Sequence, residues 1–148
     1  FPVGAVMAKA KVGDSMTPGT HGSTFGGNPL AMRSANAVLD LLLEDDFLKT
    51  LRENITYFDN KMDALISDDN KVSPIILCKK GSGMLRGFQL KENVNAGDFG
   101  NISREKGLLL VGAAENTIRL LPPLNTFKKE IDQAFEILSE VIKEIKKN

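Results

Sequence analysis

Cysteine and histidine each occur only once in the 148 residues, as Cys78 and His21. A single cysteine cannot form a disulfide within the chain, which is consistent with a reducing compartment. A single histidine excludes a histidine-rich metal site built from this chain alone. A Ser-His-Asp triad stays open, although no nucleophile elbow accompanies it. We expect His21 to be a packed or loop-capping residue.

An excess of charge of either sign is also absent, because 19 basic and 19 acidic side chains cancel. This balance gives no electrostatic reason to expect binding to nucleic acid or to an anionic membrane. No apolar run approaches the roughly 20 residues that a membrane helix requires, and residues 1–8 lack the basic leader of a signal peptide. With 42% hydrophobic and 26% charged residues, the composition is typical of a soluble globular protein, and we expect a cytoplasmic location.

The first half of the chain reads as one strand and two helices. Residues 2–8 are apolar and uncharged, which predicts a buried strand. A loop rich in Gly, Pro and Thr follows over residues 12–27. Apolar residues at helical spacing then predict two amphipathic helices, over residues 29–43 and 47–67.

Beyond the polar stretch at residues 68–71 the pattern changes to short strands and turns. We expect strands at 74–80 and 84–90 joined through a Gly81-Ser82-Gly83 hairpin, a helix at 98–106 stopped by Gly107, and a strand pair at 108–111 and 117–121. A final amphipathic helix carries an apolar stripe from Ile131 to Ile145, with Thr126 as its predicted N-cap. The polar stretch is the predicted domain boundary.

The most informative segment is the loop and helix start at residues 20–31, which reads THGSTFGGNPLA. Asn28 is suited to cap a helix, and Pro29 is suited to its first turn. A Gly/Ser/Thr loop beside the positive end of a helix is a plausible cradle for a phosphate or carboxylate. From the residues alone, an anion site and an ordinary tight connection are about equally supported.

The string HGSTFGGNPLA at residues 21–31, preceded by FPVGAVMA at residues 1–8, resembles the class III aminotransferases that use pyridoxal 5'-phosphate. Within that class it is most similar to the acetylornithine-specific branch. A second match, IRLLPPLN, stands at residues 118–125. The resemblance covers essentially the whole chain, with its two motifs in the expected order and spacing.

The resemblance implies an α/β fold, namely the C-terminal portion of a fold type I pyridoxal-phosphate-dependent transferase. Residues 1–70 would form the end of the large cofactor-binding domain, and residues 71–148 the small C-terminal α/β domain. The family's Schiff-base lysine precedes the Phe-Pro-Val-Gly segment, so we expect a fragment that lacks this lysine and is inactive alone. Residues 1–70 also hold too few strands for a sheet with covered faces, which supports truncation independently.

The resemblance also assigns roles to three residues. Thr24 would donate to the cofactor phosphate across a dimer interface, and Ser23 would line the acetylornithine end of the same pocket. Arg119 would bind the substrate α-carboxylate through two parallel hydrogen bonds. The alternatives are a Thr24 that satisfies a loop carbonyl, a Ser23 bonded to its own turn, and an edge-strand Arg119 that faces water.

The implied reaction moves the amino group of N-acetylornithine to 2-oxoglutarate, within arginine biosynthesis, in a homodimer. Ornithine aminotransferase and other class III members share much of the motif and stay open as alternatives. A further alternative is a non-catalytic dimerisation or regulatory module, which would need no Schiff-base lysine.

Overall fold

The computed structural model describes residues 1–147, and the chain divides into two compact units, Phe1–Leu48 and the part from Lys49 onward. The first unit holds two helices, α1 (Ala10–Gly13) and α2 (Pro29–Leu42), and α3 (Phe47–Asp69) begins at its end. The other elements are β1 (Ile76–Ser82), β2 (Leu85–Leu90), α4 (Ala96–Glu105), β3 (Val111–Ala113), β4 (Thr117–Leu120) and α5 (Lys128–Ile145). The predicted α/β class is confirmed. A boundary between family domains near residue 70 stays a prediction.

The start of α2 follows the sequence pattern closely. The side chain of Asn28 accepts a hydrogen bond from the Ala31 N–H at 2.9 Å, and Pro29 occupies the first helical position. The predicted cap is therefore confirmed. Of the residues in α2 only Ala31 is buried, so the helix leaves most of its apolar face exposed within this unit.

The strand predicted over residues 2–8 is wrong. This segment has no regular structure, and Val6 and Met7 are 93% and 97% exposed. A strand needs a neighbour to pair its N–H and C=O groups. The first unit, as far as the structure describes it, contains no strand that could serve as that neighbour.

The second unit is built on a four-stranded antiparallel sheet in the order β1-β2-β4-β3. The predicted hairpin between β1 and β2 is confirmed, and positive φ angles at Gly81 (87°) and Gly83 (61°) shape its turn. Glu115 and Asn116 have φ angles of 57° and 50° in the three-residue turn at 114–116, which connects the paired residues Ala113 and Thr117; non-glycine residues rarely adopt this conformation.

Strand β3 begins at Val111, three residues later than the predicted start at 108. The cause is the termination of α4. Gly107 has a φ of 88°, and the Leu108 N–H donates to the Ser103 carbonyl at 2.9 Å. The backbone at 107–108 therefore closes the helix, as expected of a glycine after a helix end, and is not available for the sheet.

One layer of helices covers one face of this sheet. Phe58 and Phe135 meet edge to face with ring centroids 5.4 Å apart, joining α3 to α5. Phe88 of β2 meets Phe99 of α4 in the same way, at 5.6 Å. The buried apolar residues of all these elements form one cluster, to which the sheet contributes Ile76, Phe88, Leu90, Ile118 and Leu120. The opposite face of the sheet is left outside this core.

Two helix starts differ from the sequence predictions. Helix α5 has Phe127, not Thr126, as its N-cap, and Glu130 accepts the Phe127 N–H at 2.8 Å. Thr126 instead donates its hydroxyl to the Pro123 carbonyl at 2.7 Å. Helix α4 begins at Ala96, two residues before the predicted start at residue 98, because the side chain of Asn95 accepts the N–H groups of the first turn.

Within residues 1–147, no helix combines the length and the apolar character that crossing a membrane requires.

Candidate functional site

The loop before α2 presents Ser23 and Thr24 on an exposed turn of the first unit. The Gly26 N–H donates to the Ser23 carbonyl at 3.3 Å, which closes the turn. A Cβ atom added at Gly26 would lie 3.0 Å from the Ser23 Cβ atom, a spacing too close for an unshifted side chain. Gly27 follows with a φ of 71°, a conformation that favours glycine. The two glycines therefore fix the shape of this turn.

The other polar side chains of the loop are engaged within it. Thr20 donates its hydroxyl to the Thr17 carbonyl at 2.7 Å, and the Asn28 amide donates to the Phe25 carbonyl at 2.6 Å. Among residues 1–147, the hydroxyls of Ser23 and Thr24 form no such side-chain bond. A hydroxyl that satisfies a loop carbonyl is thus seen at Thr20, whereas the exposed hydroxyls of Ser23 and Thr24 stay available to a ligand.

His21 lies in the same loop and is exposed. Within the described residues its ring forms no side-chain hydrogen bond, so the expectation of a packed or loop-capping histidine is wrong. Its chain neighbours Thr20 and Gly22 are small and are exposed as well.

Arg119 lies on β4 in the second unit, directly opposite Gly87 of β2 and Val111 of β3. Strand β4 is an interior strand of the sheet, so the alternative of an edge-strand arginine is wrong. Its neighbours Ile118 and Leu120 are buried in the core while Arg119 is exposed, because alternate residues of a strand face opposite ways. The guanidinium therefore stands on the outer face of the sheet, and the described residues give it no ion-pair partner.

Two further charged residues share this outer face. Lys80 of β1 is the register partner of Gly87, which in turn is the partner of Arg119. The Lys80 ammonium forms a salt bridge with Glu115 in the turn between β3 and β4. This ammonium lowers the pKa of the Glu115 carboxyl, chiefly through the hydrogen bond it donates and next through its charge. Sequence reasoning missed both residues, since the register that aligns Lys80 with Arg119 is not visible in the sequence.

On the inner face, Lys79 and Arg86 bind α3 instead. The Asp59 carboxylate lies 3.0 Å from the Lys79 ammonium and 2.9 Å from the Arg86 guanidinium, and Asp63 lies 2.6 Å from Lys79. Hydrogen bonds to Asp63 and then to Asp59 raise the pKa of Lys79. Arg86 also donates to the carbonyls of Gly81 and Gly83. These charges hold the β1–β2 hairpin against α3 and are structural.

The structure thus places Ser23 and Thr24 together in the first unit and Arg119 in the second. Each set offers hydrogen-bond donors that the described residues leave unused. Backbone turns with free hydroxyls suit a phosphate, whereas a planar guanidinium suits a carboxylate.

Comparison with known proteins identifies a protein family that matches nearly the whole chain. The model of the family "Aminotransferase class-III" matches residues 1–142. An acetylornithine aminotransferase of Streptococcus mutans is 38% identical over 143 residues, covering 97% of this chain and 36% of that protein. The corresponding protein of Bacillus subtilis is 37% identical over 142 residues, covering 96% and 35%. An ornithine aminotransferase of an Exiguobacterium strain is 41% identical over 142 residues, covering 96% and 34%.

Solved structures agree with this result. Ornithine δ-aminotransferase of Plasmodium falciparum superposes with a TM-score of 0.80 at 29% identity, covering 96% of this chain and 35% of that chain. Acetylornithine aminotransferase of Elizabethkingia anophelis gives a TM-score of 0.75 at 29% identity, covering 93% and 34%. The chain therefore has the fold of part of these enzymes, and it spans about a third of the length of the relatives it matches.

Proposed function

Because this chain belongs to the class-III aminotransferase family, we propose that the complete protein moves the amino group of N-acetylornithine to 2-oxoglutarate. The products are N-acetylglutamate semialdehyde and glutamate, and the reaction belongs to arginine biosynthesis. The family match over residues 1–142 carries the proposal, and relatives named acetylornithine aminotransferase at 35–42% identity support the choice of amino donor.

Class-III aminotransferases depend on pyridoxal 5'-phosphate, which supplies the electron sink for transamination when bound. The loop at residues 22–27 fits its phosphate group. Thr24 brings a hydroxyl that no described residue engages, and Gly26 stands where an added Cβ atom would crowd Ser23. Small residues let the backbone approach a dianion closely. Thr24 is therefore the residue that would hold the phosphate.

Arg119 is the proposed carboxylate clamp. Its guanidinium is exposed on the outer face of β4, and its fork of N–H groups can donate two parallel hydrogen bonds to one carboxylate. Both substrates carry an α-carboxylate, so one clamp serves both halves of the reaction. It would bind the substrate and fix its orientation, and Ser23 would contact the acyl end of the donor.

The proposal includes a homodimer, because in the resembled family the residue that matches Thr24 reaches the partner's site. It also includes a cytoplasmic location, on the basis of the composition.

A specific observation favours ornithine aminotransferase as a second candidate function: an ornithine aminotransferase is among the relatives, at 41% identity. Ornithine differs from the proposed donor only in lacking the acetyl group.

The test compares kcat/KM for N-acetylornithine and for free ornithine, each with 2-oxoglutarate, using the complete gene product loaded with cofactor. We expect the acetylated donor to be the better substrate. A preference for free ornithine would establish the second candidate. A folded, cofactor-loaded protein that turned over neither donor would favour another class III reaction or a non-catalytic module.

A further inference from the structure

Gly87 of β2 lies at a close approach between β2 and β4. A Cβ atom added there would lie 2.6 Å from the Ile118 carbonyl oxygen and 3.1 Å from the Thr117 Cγ2 atom. Real Cβ atoms essentially never lie within 3.0 Å of such a neighbour, and the nearer of these two contacts is to backbone. The φ angle of Gly87 lies outside the left-handed region. Space, and not backbone conformation, therefore requires glycine at this position.

The crowded carbonyl belongs to the peptide group that joins Ile118 to Arg119. Gly87 and Arg119 are register partners, and directly opposed residues of antiparallel strands share a face of the sheet. A side chain at position 87 would therefore press on this peptide group from the outer face. The atoms of a peptide group lie in one plane. Moving the carbonyl oxygen thus either shifts the Arg119 Cα atom or turns its φ angle, and both redirect the guanidinium.

The core prevents β4 from avoiding this contact by moving inward. Ile118 and Leu120, on either side of Arg119, are 0% and 5% exposed and belong to the core cluster. Protein interiors are close-packed, so β4 cannot move toward the helices without overpacking them. Its other edge is paired with β3. A side chain at position 87 must therefore be accommodated on the outer face, where Arg119 lies.

We propose that Gly87 is a positioning residue for Arg119: because it has no Cβ atom, the Ile118–Arg119 peptide keeps the orientation from which the guanidinium donates two parallel hydrogen bonds to a carboxylate. The inference rests on the proposed role of Arg119 as the carboxylate clamp. Paired hydrogen bonds need both donors aligned, and binding sites tolerate only roughly 0.5 Å of misplacement. The Ile118 carbonyl oxygen would have to move by a similar distance, from 2.6 Å to at least 3.0 Å from the added atom.

The experiment measures equilibrium binding of glutarate, an unreactive dicarboxylate, to the complete, cofactor-loaded protein. Gly87→Ala should raise the dissociation constant of glutarate by about three- to tenfold, because a misaligned guanidinium loses part of its paired hydrogen bonding. Gly112→Ala is the matched control. Gly112 of β3 is the register partner of Ile118 on the other side of β4, and a Cβ atom added there meets none of the described atoms within 4 Å. This control should bind glutarate as the wild-type protein does.

A double variant determines whether Gly87 acts through Arg119. In an Arg119→Met background, Gly87→Ala should weaken glutarate binding no further, because the group it displaces is gone. An equal effect of Gly87→Ala with and without Arg119 overturns the inference, and so does a Gly87→Ala protein that binds glutarate normally.

The dissociation constant of the cofactor is the second readout. It should stay unchanged in Gly87→Ala, because the proposed phosphate contact, Thr24, lies in the first unit. A merely structural defect would weaken cofactor binding as well. A loss of cofactor affinity by the same factor as the loss of glutarate affinity therefore overturns the positioning role.

If Gly87→Ala does not fold, Ile118→Val provides a second route. This mild core substitution shortens the buried side chain and lets β4 move toward the core. The double variant Gly87→Ala/Ile118→Val should then fold and bind glutarate about three- to tenfold more weakly than Ile118→Val alone. Equal binding by these two proteins overturns the inference.

Arg119→Met alone separates this inference from the proposed function. It should raise the dissociation constant of glutarate by about tenfold or more, since hydrogen bonds to a charged group are lost. If it does so while Gly87→Ala has no effect, only the positioning role is wrong. If Arg119→Met binds glutarate as well as the wild-type protein does, the carboxylate clamp itself is wrong and the inference falls with it. Because glutarate is not a substrate, neither result depends on which amino donor the enzyme uses.

Discussion

Lys146 near the end of α5 forms a salt bridge with Asp69 at the end of α3, with 2.7 Å between the ammonium nitrogen and the Asp69 Oδ1 atom. The Asp69 side chain is fully buried. Its Oδ2 atom accepts the N–H groups of Ile75 and Ile76 at 3.0 and 2.8 Å. The ammonium also donates to the carbonyls of Asp69 and Val72. One buried carboxylate thus joins two helix ends to the entry of β1.

Replacing Asp69 with alanine should be strongly destabilising. The change leaves the largely buried Lys146 ammonium without its counter-charge and two backbone N–H groups without an acceptor. We expect a loss of about 3–5 kcal/mol in the free energy of unfolding, as for removal of one partner from a buried ion pair. Chemical denaturation of the complete protein measures it. Asp68→Ala is the matched control, since its pair with Lys71 is exposed, and its unfolding midpoint should barely change. Equal effects at both positions would contradict this account.

Asn116 should be sensitive for two separate reasons. Its amide donates to the carbonyls of Val94 and Lys91 at 2.7 and 3.0 Å, and its Oδ1 atom accepts the Ala96 N–H at 3.0 Å. We expect Asn116→Gly to lose about 1–3 kcal/mol of unfolding free energy through these bonds. Asn116→Ala should lose about 1 kcal/mol more, because its φ of 50° disfavours a Cβ atom. Thermal unfolding of both variants separates the two costs, and equal stabilities would show that backbone conformation contributes nothing.

Asp132 should contribute stability that disappears in acid. Hydrogen bonds from Lys61 and then from Tyr57 lower the pKa of this carboxyl from its ordinary value of 3.8. A lowered pKa in the folded state stabilises the protein above the unfolded value, and the contribution is lost as the pH falls through the folded value. Asp132→Asn should therefore flatten the decline of unfolding free energy with pH below 3.8. Glu136→Gln, one turn further along α5, should keep the wild-type slope. If the unfolding free energy of Asp132→Asn falls with decreasing pH as steeply as that of the wild-type protein, the prediction is wrong.

Thr24→Ala should weaken retention of the cofactor. The variant removes a hydroxyl proposed to donate to a charged phosphate, an interaction worth about 1–3 kcal/mol. Spectroscopic titration of the cofactor-free protein measures the dissociation constant. Thr20→Ala is the control from the same loop, because the Thr20 hydroxyl is already bonded to the Thr17 carbonyl. Unchanged cofactor affinity in Thr24→Ala would remove this residue from the site.

Arg119→Lys should raise the KM values of the amino donor and of 2-oxoglutarate together. Lysine keeps the charge but loses the two parallel hydrogen bonds. We expect an increase of about 5- to 30-fold, equivalent to roughly 1–2 kcal/mol. Steady-state kinetics on the complete enzyme give both constants. Arg104→Lys, in the last turn of α4, should leave them unchanged. Normal KM values in Arg119→Lys would leave only a surface role for this residue.

Much of the fold could be predicted because its signals are local. Asn28 and Pro29 predict the start of α2, because the cap and the first helical position are adjacent in sequence. Gly107 predicts the end of α4, and the apolar residues of α5 recur at every helical turn. The family could also be predicted, from the motifs at residues 21–31 and 118–125. The expected strand at residues 2–8 failed for a physical reason: composition shows that a segment is apolar, but a strand forms only where a partner exists.

The properties that depend on distant residues required the folded structure. Asp69 and Lys146 are both ordinary charged residues in the sequence, and their burial together follows from how α3 and α5 pack. Likewise, the alternation in β4 predicts that Arg119 faces away from Ile118, but the register of three strands puts Lys80 and Gly87 beside it. Local propensity acts over a few neighbouring residues and can be read along the chain. Charge neighbours and site geometry arise between residues far apart in sequence, so they exist only once the chain has folded.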